Sequence, residues 1–289
     1  MDDLNDIRRR YAAKIRAVAN LQSEALVAAF AKVPREHFLG PGPWQILSPG
    51  IDDGDYRTTR DDDPVHLYHD VLVAIDPSRR LNNGQPSYLA LCLDSLDLRE
   101  GDRVLHVGCG VGYYTAIMAE VVGPAGRVIG IEIDTDLASR ARENLSYLTH
   151  VEVIHGDGGE HDPGPCDAIF INAGATHPRT VWLDCLQPGG RLILYLTVAF
   201  DDGGAGKGGM LKVGRADRGY AARFLSSVAV FHCIGSRNEG ANRRLREALM
   251  RGRWGSVQSL RRDTHELNDA CWLHGDDFCL STLPLDTMP

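Results

Sequence analysis

The segment VLHVGCGVGYYTA (104–116) limits the folds open to this chain more than any other stretch. An apolar, partly β-branched run reads as a buried strand, three glycines (Gly108, Gly110, Gly112) interrupt it, and a helical pattern follows. Glycines at such a junction permit a tight turn and let backbone amides approach a ligand closely, while the helix N-terminus presents unpaired N–H groups. The spacing is GxGxG, not GxGxxG.

The surroundings fit one architecture. From Asp102 to about Leu196, short β-branched runs (RVLHVG, RVIGIEI, VEVIHG, DAIFINA, RLILYL) alternate with helical segments through Ala116 and Val121, through Ala138 and Leu145, and near Trp182. Strands alternating with helices imply an α/β fold with a doubly wound, Rossmann-like parallel sheet. Upstream, apolar residues at helical spacing between Leu4 and Val33 predict two helices meeting near Asn20. A glycine-rich stretch at 201–209 precedes strand-like runs (MLKVGR, AARFLSSVAVFHCIG), which predict an antiparallel edge at the C-terminal side. A last helix follows around Ala241 to Met250, and the tail from Trp254 has no readable pattern. The expected division is N-terminal helices at 1–39, an acidic Pro/Gly-rich insertion at 40–66, the core at 67–235, and a helix with tail at 236–289.

Two carboxylates then join the glycine turn. Glu132 ends RVIGIE, twenty residues past Gly112, where a carboxylate accepts both hydroxyls of a ribose. In HGDGG, Asp157 is placed to accept from an adenine amino group, and Gly158 leaves room for the ring. Together these strand ends line the crevice at the switch point of an open α/β sheet and describe a site for an adenosine-containing cofactor.

Bulk properties exclude other classes. Hydrophobic residues make up 43% and charged residues 24% of the 289, as in an ordinary globule. With 39 acidic against 31 basic residues the net charge is −8, which argues against nucleic acid as a partner. No run approaches the ~20 apolar residues that span a bilayer, and the N-terminus is charged where a signal peptide needs an apolar run, so neither a membrane partner nor export is expected and the location reads as cytoplasmic. Seven cysteines, scattered and never in a CxxC pair, suggest neither a disulfide framework nor a metal site. The run IDDGDYRTTRDDD reads as a solvated loop, with contact to a basic region of a substrate as the functional alternative.

In order and spacing, these segments resemble class I S-adenosylmethionine-dependent methyltransferases, in particular the protein-L-isoaspartate O-methyltransferase family. The resemblance rests on VPREHF at Val33 to Phe38, Tyr68-His69-Asp70, VLHVGCGVGY, VGPAGRVIGIE (122–132), GDG (156–158), DAIFINAGA (167–175) and LQPGGRLIL (186–194). It implies S-adenosyl-L-methionine as cofactor, held by His106, Gly108, Cys109, Gly110, Gly112, Glu132, Ile133, Asp157, Gly158 and Asn172. It also implies a peptide or protein isoaspartyl carboxylate as acceptor, placed by Asp70, Asn83, Gly84 and Gln85. Methyl transfer from a sulfonium is an in-line displacement, and a carboxylate acceptor, already ionised at pH 7, needs no general base.

Two departures bear on the acceptor. Where the family carries a TISxP phrase, this chain has Asn82-Asn83-Gly84-Gln85-Pro86, with Gly84 at the serine, and the acid that opens the family's first motif is His106. Gly40 to Pro64 and the tail beyond Gly235 have no counterpart. Three further readings stay open: a specialised methyltransferase for a modified peptide or small metabolite, a cofactor-binding homologue without catalysis, and a nicotinamide dehydrogenase. For a weakened isoaspartyl enzyme, Gly84→Ser is expected to raise activity.

Overall fold

The computed structural model describes residues 3–48, 55–199 and 205–285. They form two compact units, one comprising Met1–Gly101, Cys109–Gly130 and Asp134–Val153, the other Asp102–Gly108, Ile131–Ile133 and Ile154–Pro289.

The first unit opens with α1 (Leu4–Ala19) and α2 (Glu24–Lys32), the two expected helices. Asp3 caps α1, accepting the Asn5 N–H at 3.2 Å, and Asn20 ends it in the left-handed conformation at φ 51°. Ser23 caps α2 through its Oγ, 3.1 Å from the Leu26 N–H. The apolar faces of α1 and α2 bury Tyr11, Ile15, Leu26 and Phe30.

Next come β1 (Gln45–Leu47), β2 (Arg57–Thr58), β3 (Leu72–Asp76) and β4 (Leu81–Asn82), an antiparallel sheet in the order β2-β1-β3-β4. Here the structure corrects the reading of the acidic run as loop: Arg57 and Thr58 form an edge strand against Ile46 and Gln45. Trp44 and Ile46 pack with Leu39, Leu67, Val71 and Val73, and this apolar cluster anchors the sheet despite the turn-forming residues around it. Asp52 and Asp53 lie outside the described residues. The sheet leads into α3 (Pro86–Ser95), which packs on α1.

The core strands are β5 (Arg103–Val107), β6 (Arg127–Glu132), β7 (Val151–His155), β8 (Cys166–Ala175) and β9 (Leu186–Val198), with α4 (Tyr113–Val122), α5 (Thr135–Asn144) and α6 (Thr180–Cys185) between them. β10 (Gly206–Arg215) and β11 (Tyr220–Val230) follow, then α7 (Glu239–Arg251), β12 (Ser259–Arg261), β13 (Cys271–His274) and β14 (Cys279–Ser281). The sheet order is β13-β14-β12-β11-β10-β9-β8-β5-β6-β7. β8 runs parallel to β5 and β9, whereas β9 through β12 alternate in direction, which is the expected antiparallel edge. β10 begins within the glycine-rich stretch, at Gly206, while residues 201–204 fall outside the described segments. The FHCIG end of the last strand-like run is not strand, because β11 stops at Val230 and only a single bridge joins His232 to Gly174. The unreadable tail supplies three short strands.

Strand order reverses between β5 and β8, so the carboxyl ends of these strands frame the switch point at which ligands of open α/β sheets bind. Among the described residues, no helix is long and apolar enough to cross a membrane.

Candidate functional site

In the second unit, backbone bonds set neighbouring strand ends side by side: the Gly108 N–H donates to Ile131 O at 2.8 Å, and the Gly156 N–H to Glu132 O at 3.0 Å. Glu132 therefore ends β6 one position past the Gly108 contact, with 7% of the residue exposed. Ile133 follows with 37% of its surface exposed, an apolar platform beside a carboxylate, as a purine on a ribose requires.

Gly158 cannot be replaced without rearrangement. A Cβ there would lie 2.4 Å from Cγ1 of Val107, so the chain after β7 runs directly against β5. Its carbonyl is fixed by the indole N–H of buried Trp182 at 2.7 Å. Gly108 adopts φ +76° and approaches the Asn172 carbonyl, which a Cβ would meet at 3.4 Å. Asp157 accepts the Gly159 N–H at 2.7 Å through Oδ1. Its carboxylate also lies against the backbone of Gly235, where a Cβ would stand 1.7 Å from Oδ2. The turn bearing Gly235 is tied to the end of β8 by Cys233 N–H to Gly174 O at 3.0 Å and Thr176 N–H to Ser236 O at 3.1 Å. Sequence reasoning missed this turn, since a Cys-Ile-Gly-Ser phrase carries no chemistry of its own.

His106 lies inside the sheet, fully buried and stacked on Phe170 with centroids 5.3 Å apart and planes 12° from parallel. Burial pushes its pKa down to about 3, so the imidazole is neutral at physiological pH. With no exposed surface it packs behind the glycine turn rather than facing a ligand.

In the first unit, Cys109 to Gly112 complete that turn. Gly110 (φ +57°) has nothing within 4 Å of a Cβ position, leaving space above the turn, and Gly112 (φ +96°) is the N-cap of α4. Glycine at the N-cap brings no capping side chain of its own, and the first turn of α4 begins directly at the glycine turn. The glycine turn and helix start of this unit, like the Glu132–Ile133 edge and the Gly158 approach of the other, are features that an adenosine-containing cofactor would use.

Arg35, in the VPREHF phrase, was not singled out as a site residue, yet it organises the next group. Fully buried, it donates to Leu67 O (2.7 Å), His69 O (3.3 Å) and Val71 O (2.8 Å). Burial alone would lower its pKa, but the phenols of Tyr11, Tyr114 and Tyr113 and the carboxylate of Asp70 outweigh it, and the guanidinium stays charged. Five donors in a planar fork suit three converging carbonyls. A buried arginine in a helical phrase gives no sequence signal, because exposure cannot be read there.

Arg35 thereby fixes the Tyr68-His69-Asp70 phrase. Asp70 accepts from the Ser87 N–H (2.8 Å), the Ser87 hydroxyl (2.6 Å) and the Gln85 side-chain amide (2.9 Å). Of the predicted acceptor residues, Asp70 and Gln85 line one cavity of about 440 Å³ together with Ile46, Arg57, His66 and His69. His69 is held below the usual imidazole range by burial, with Lys14, His66 and Arg57 adding to it. His66 contacts Asp61 at 2.6 Å. Asn83 is buried, and its amide nitrogen has no hydrogen-bond partner among the described residues.

Gly84 departs from a simple serine deletion. Its φ is +73°, its N–H donates to Asn82 Oδ1 at 2.9 Å, and a Cβ would lie 3.0 Å from Cδ2 of Leu89. Serine there would be strained, which weighs against the expectation that Gly84→Ser raises activity.

Comparison with known proteins follows the same outline. The family described as protein-L-isoaspartate(D-aspartate) O-methyltransferase matches residues 56–200. A protein-L-isoaspartate O-methyltransferase of Archaeoglobus fulgidus is 35% identical over 196 residues, covering 66% of this chain and 79% of that protein. One from Methanothrix thermoacetophila is 34% identical over 184 residues, covering 62% and 77%. Among solved structures, a protein-L-isoaspartate O-methyltransferase superposes with a TM-score of 0.58 at 24% identity, over 85% of this chain and 69% of that one. A Plasmodium falciparum protein described as a putative member, in complex with S-adenosyl-L-homocysteine, gives 0.58 at 20% identity, over 78% and 97%. At these identities the superpositions speak for the fold.

Proposed function

The chain belongs to the protein-L-isoaspartate O-methyltransferase family, an S-adenosyl-L-methionine-dependent group of carboxyl O-methyltransferases, and on that premise we propose that its acceptor is an isoaspartyl carboxylate in a peptide or protein. The cofactor supplies an electrophilic methyl group on a sulfonium. Glu132 would accept the ribose hydroxyls and Asp157 the adenine amino group, Ile133 and Gly158 would flank the ring, and Gly108, Gly110, Gly112 and Asn172 would offer backbone to the remainder.

The protein's task is positional. An ionised carboxylate would need no residue to remove a proton before it took the methyl group, so none of the histidines is needed as a base. Asn83 offers a buried amide donor, and Gln85, held by Asp70, flanks it in the loop. These groups orient the acceptor oxygens, and Arg57, His66 and His69 make its cavity rich in donors.

The observation that carries the cofactor half is the buried Glu132 carboxylate beside the exposed Ile133. Calorimetric titration with S-adenosyl-L-homocysteine tests it. Glu132→Ala is expected to weaken binding roughly 10- to 100-fold, the loss of one or two charge-assisted bonds, and unchanged affinity would refute the assignment.

A second reading has one observation in its favour. Gly84, at the place where the family phrase carries serine, holds a left-handed backbone that sets the shape of the loop on the acceptor side. A specialised acceptor, such as a modified peptide, would use that shape. Labelling of such a peptide but not of a plain isoaspartyl peptide would decide for it.

A further inference from the structure

Outside the family match, the tail brings four side chains of metal-ligating type together. One ligand atom from each of His265, Cys271, His274 and Cys279 lies within 4.8 Å of all the others. We propose that these residues form a structural Cys2His2 site for a tetrahedral divalent transition metal, zinc by its donor set, which clamps the C-terminal strands.

The geometry supports it ligand by ligand. Cys271 Sγ and His265 Nε2 are 3.5 Å apart, and the rings of His265 and His274 meet edge to face with centroids at 4.9 Å. A tetrahedron with bonds of about 2.0–2.3 Å has edges of about 3.3–3.8 Å, so one edge is already at its length and the others close by about 1.5 Å at most. His265 Nδ1 faces the Asp263 carbonyl at 3.0 Å, which fixes the proton on Nδ1 and leaves the Nε2 lone pair toward Cys271. The Asp263 carboxylate is in turn held by Arg261 Nε at 2.9 Å. Nδ1 of His274 is buried with no hydrogen-bond partner among the described residues.

Strand register explains the convergence. Residues 271 and 274 would point to opposite faces of a regular strand, but the pairing of β13 with β14 shifts between Cys271 and Leu273, and His274 sits opposite Cys279. The ligand order is H-x5-C-x2-H-x4-C, without a CxxC pair, which is why the cysteine spacing suggested no metal site. Binding forms two metal–sulfur and two metal–nitrogen bonds and releases the two thiol protons, leaving a neutral centre.

The clamp has a structural purpose. β12, β13 and β14 are three or four residues long, at the short end for strands, so a cross-link adds to the little backbone pairing they make. The loop between the last two ligands carries Asp276, Asp277 and Phe278 into the wall of a second cavity of about 480 Å³, which Arg179 and Arg244 also line. Arg244 pairs with Asp276 at 3.1 Å, and a metal bound at its base would hold that wall in place.

The test uses the full chain purified without chelators or added metal. Elemental analysis is expected to find about one zinc per chain, and exchange with cobalt(II) should give the intense visible bands of a tetrahedral ion with a thiolate charge-transfer band. Both should vanish in the Cys271→Ser, Cys279→Ser double variant and persist in Cys92→Ser. If the double variant fails to fold, the cobalt spectrum of the unaltered chain decides alone. Absence of metal and of a tetrahedral cobalt spectrum in the folded protein, or an intact mass two hydrogens light from a Cys271–Cys279 disulfide, would overturn the proposal.

Discussion

Asp70 and Ser87 meet at two points: the Ser87 backbone N–H donates to one carboxylate oxygen at 2.8 Å, and its hydroxyl donates to the other at 2.6 Å. The N-cap of α3, Gln85, makes no capping bond of its own with its side chain, so Asp70 caps this helix from a distant segment and binds the Tyr68–Asp70 phrase to the Asn82–Pro86 loop. Asp70→Ala should destabilise the protein by roughly 1.5–3 kcal/mol, read in urea melts. Methyl transfer should fall more than about tenfold while affinity for S-adenosyl-L-homocysteine stays within about twofold. Affinity falling in step with turnover would place Asp70 on the cofactor side instead.

Gly84→Ser should cost stability and restore nothing. The left-handed backbone penalises a side chain by about 1–2 kcal/mol, and the Leu89 contact adds to it. Thermal melts are expected to shift down and isoaspartyl turnover to stay level or fall. A rise in turnover would mean that the loop reshapes around the hydroxyl.

Arg35→Met removes the donors of Leu67 O and Val71 O, which are then buried without partners. The expected loss is roughly 2–4 kcal/mol. Arg35→Lys should recover only part of it, because a point charge cannot serve carbonyls that the guanidinium fork reaches together. Equal stability of the lysine variant and the unaltered chain would contradict the fork's role.

His106 makes stability pH-dependent. Its folded pKa of about 3 lies below the ordinary value of 6.5 for an unfolded chain, so on acidification the unfolded state takes up the proton first. Stability from this residue is intact above pH 6.5 and falls by about 1.4 kcal/mol per pH unit on the way down to about 3. Between pH 7 and 5 the loss is about 2 kcal/mol. Denaturant midpoints of a His106→Leu variant should lose that slope, and parallel slopes would show that other groups carry the acid sensitivity.

The strands from β5 to β9 were legible in the sequence because each is a dense β-branched run between helical segments, and a buried parallel sheet writes itself that way. Glu132 and Asp157 followed from their places at strand ends. What stayed hidden depends on pairing rather than pattern. β1 and β2 are held by Trp44 and Ile46 within turn-rich sequence, and β12 to β14 are too short for any alternation to register. Arg35 and Asp70 act through partners 32 to 36 and 15 to 17 residues away, which no local spacing reveals. The Gly84 conformation was equally out of reach, since glycine alone does not state its φ.

The most direct measurement is methyl transfer from isotopically labelled S-adenosyl-L-methionine to an isoaspartyl peptide, with the matched aspartyl peptide as control. The account predicts base-labile label on the isoaspartyl peptide alone, as a methyl ester must give. Label that resists base, or none on the isoaspartyl peptide from a chain that binds S-adenosyl-L-homocysteine, would contradict it.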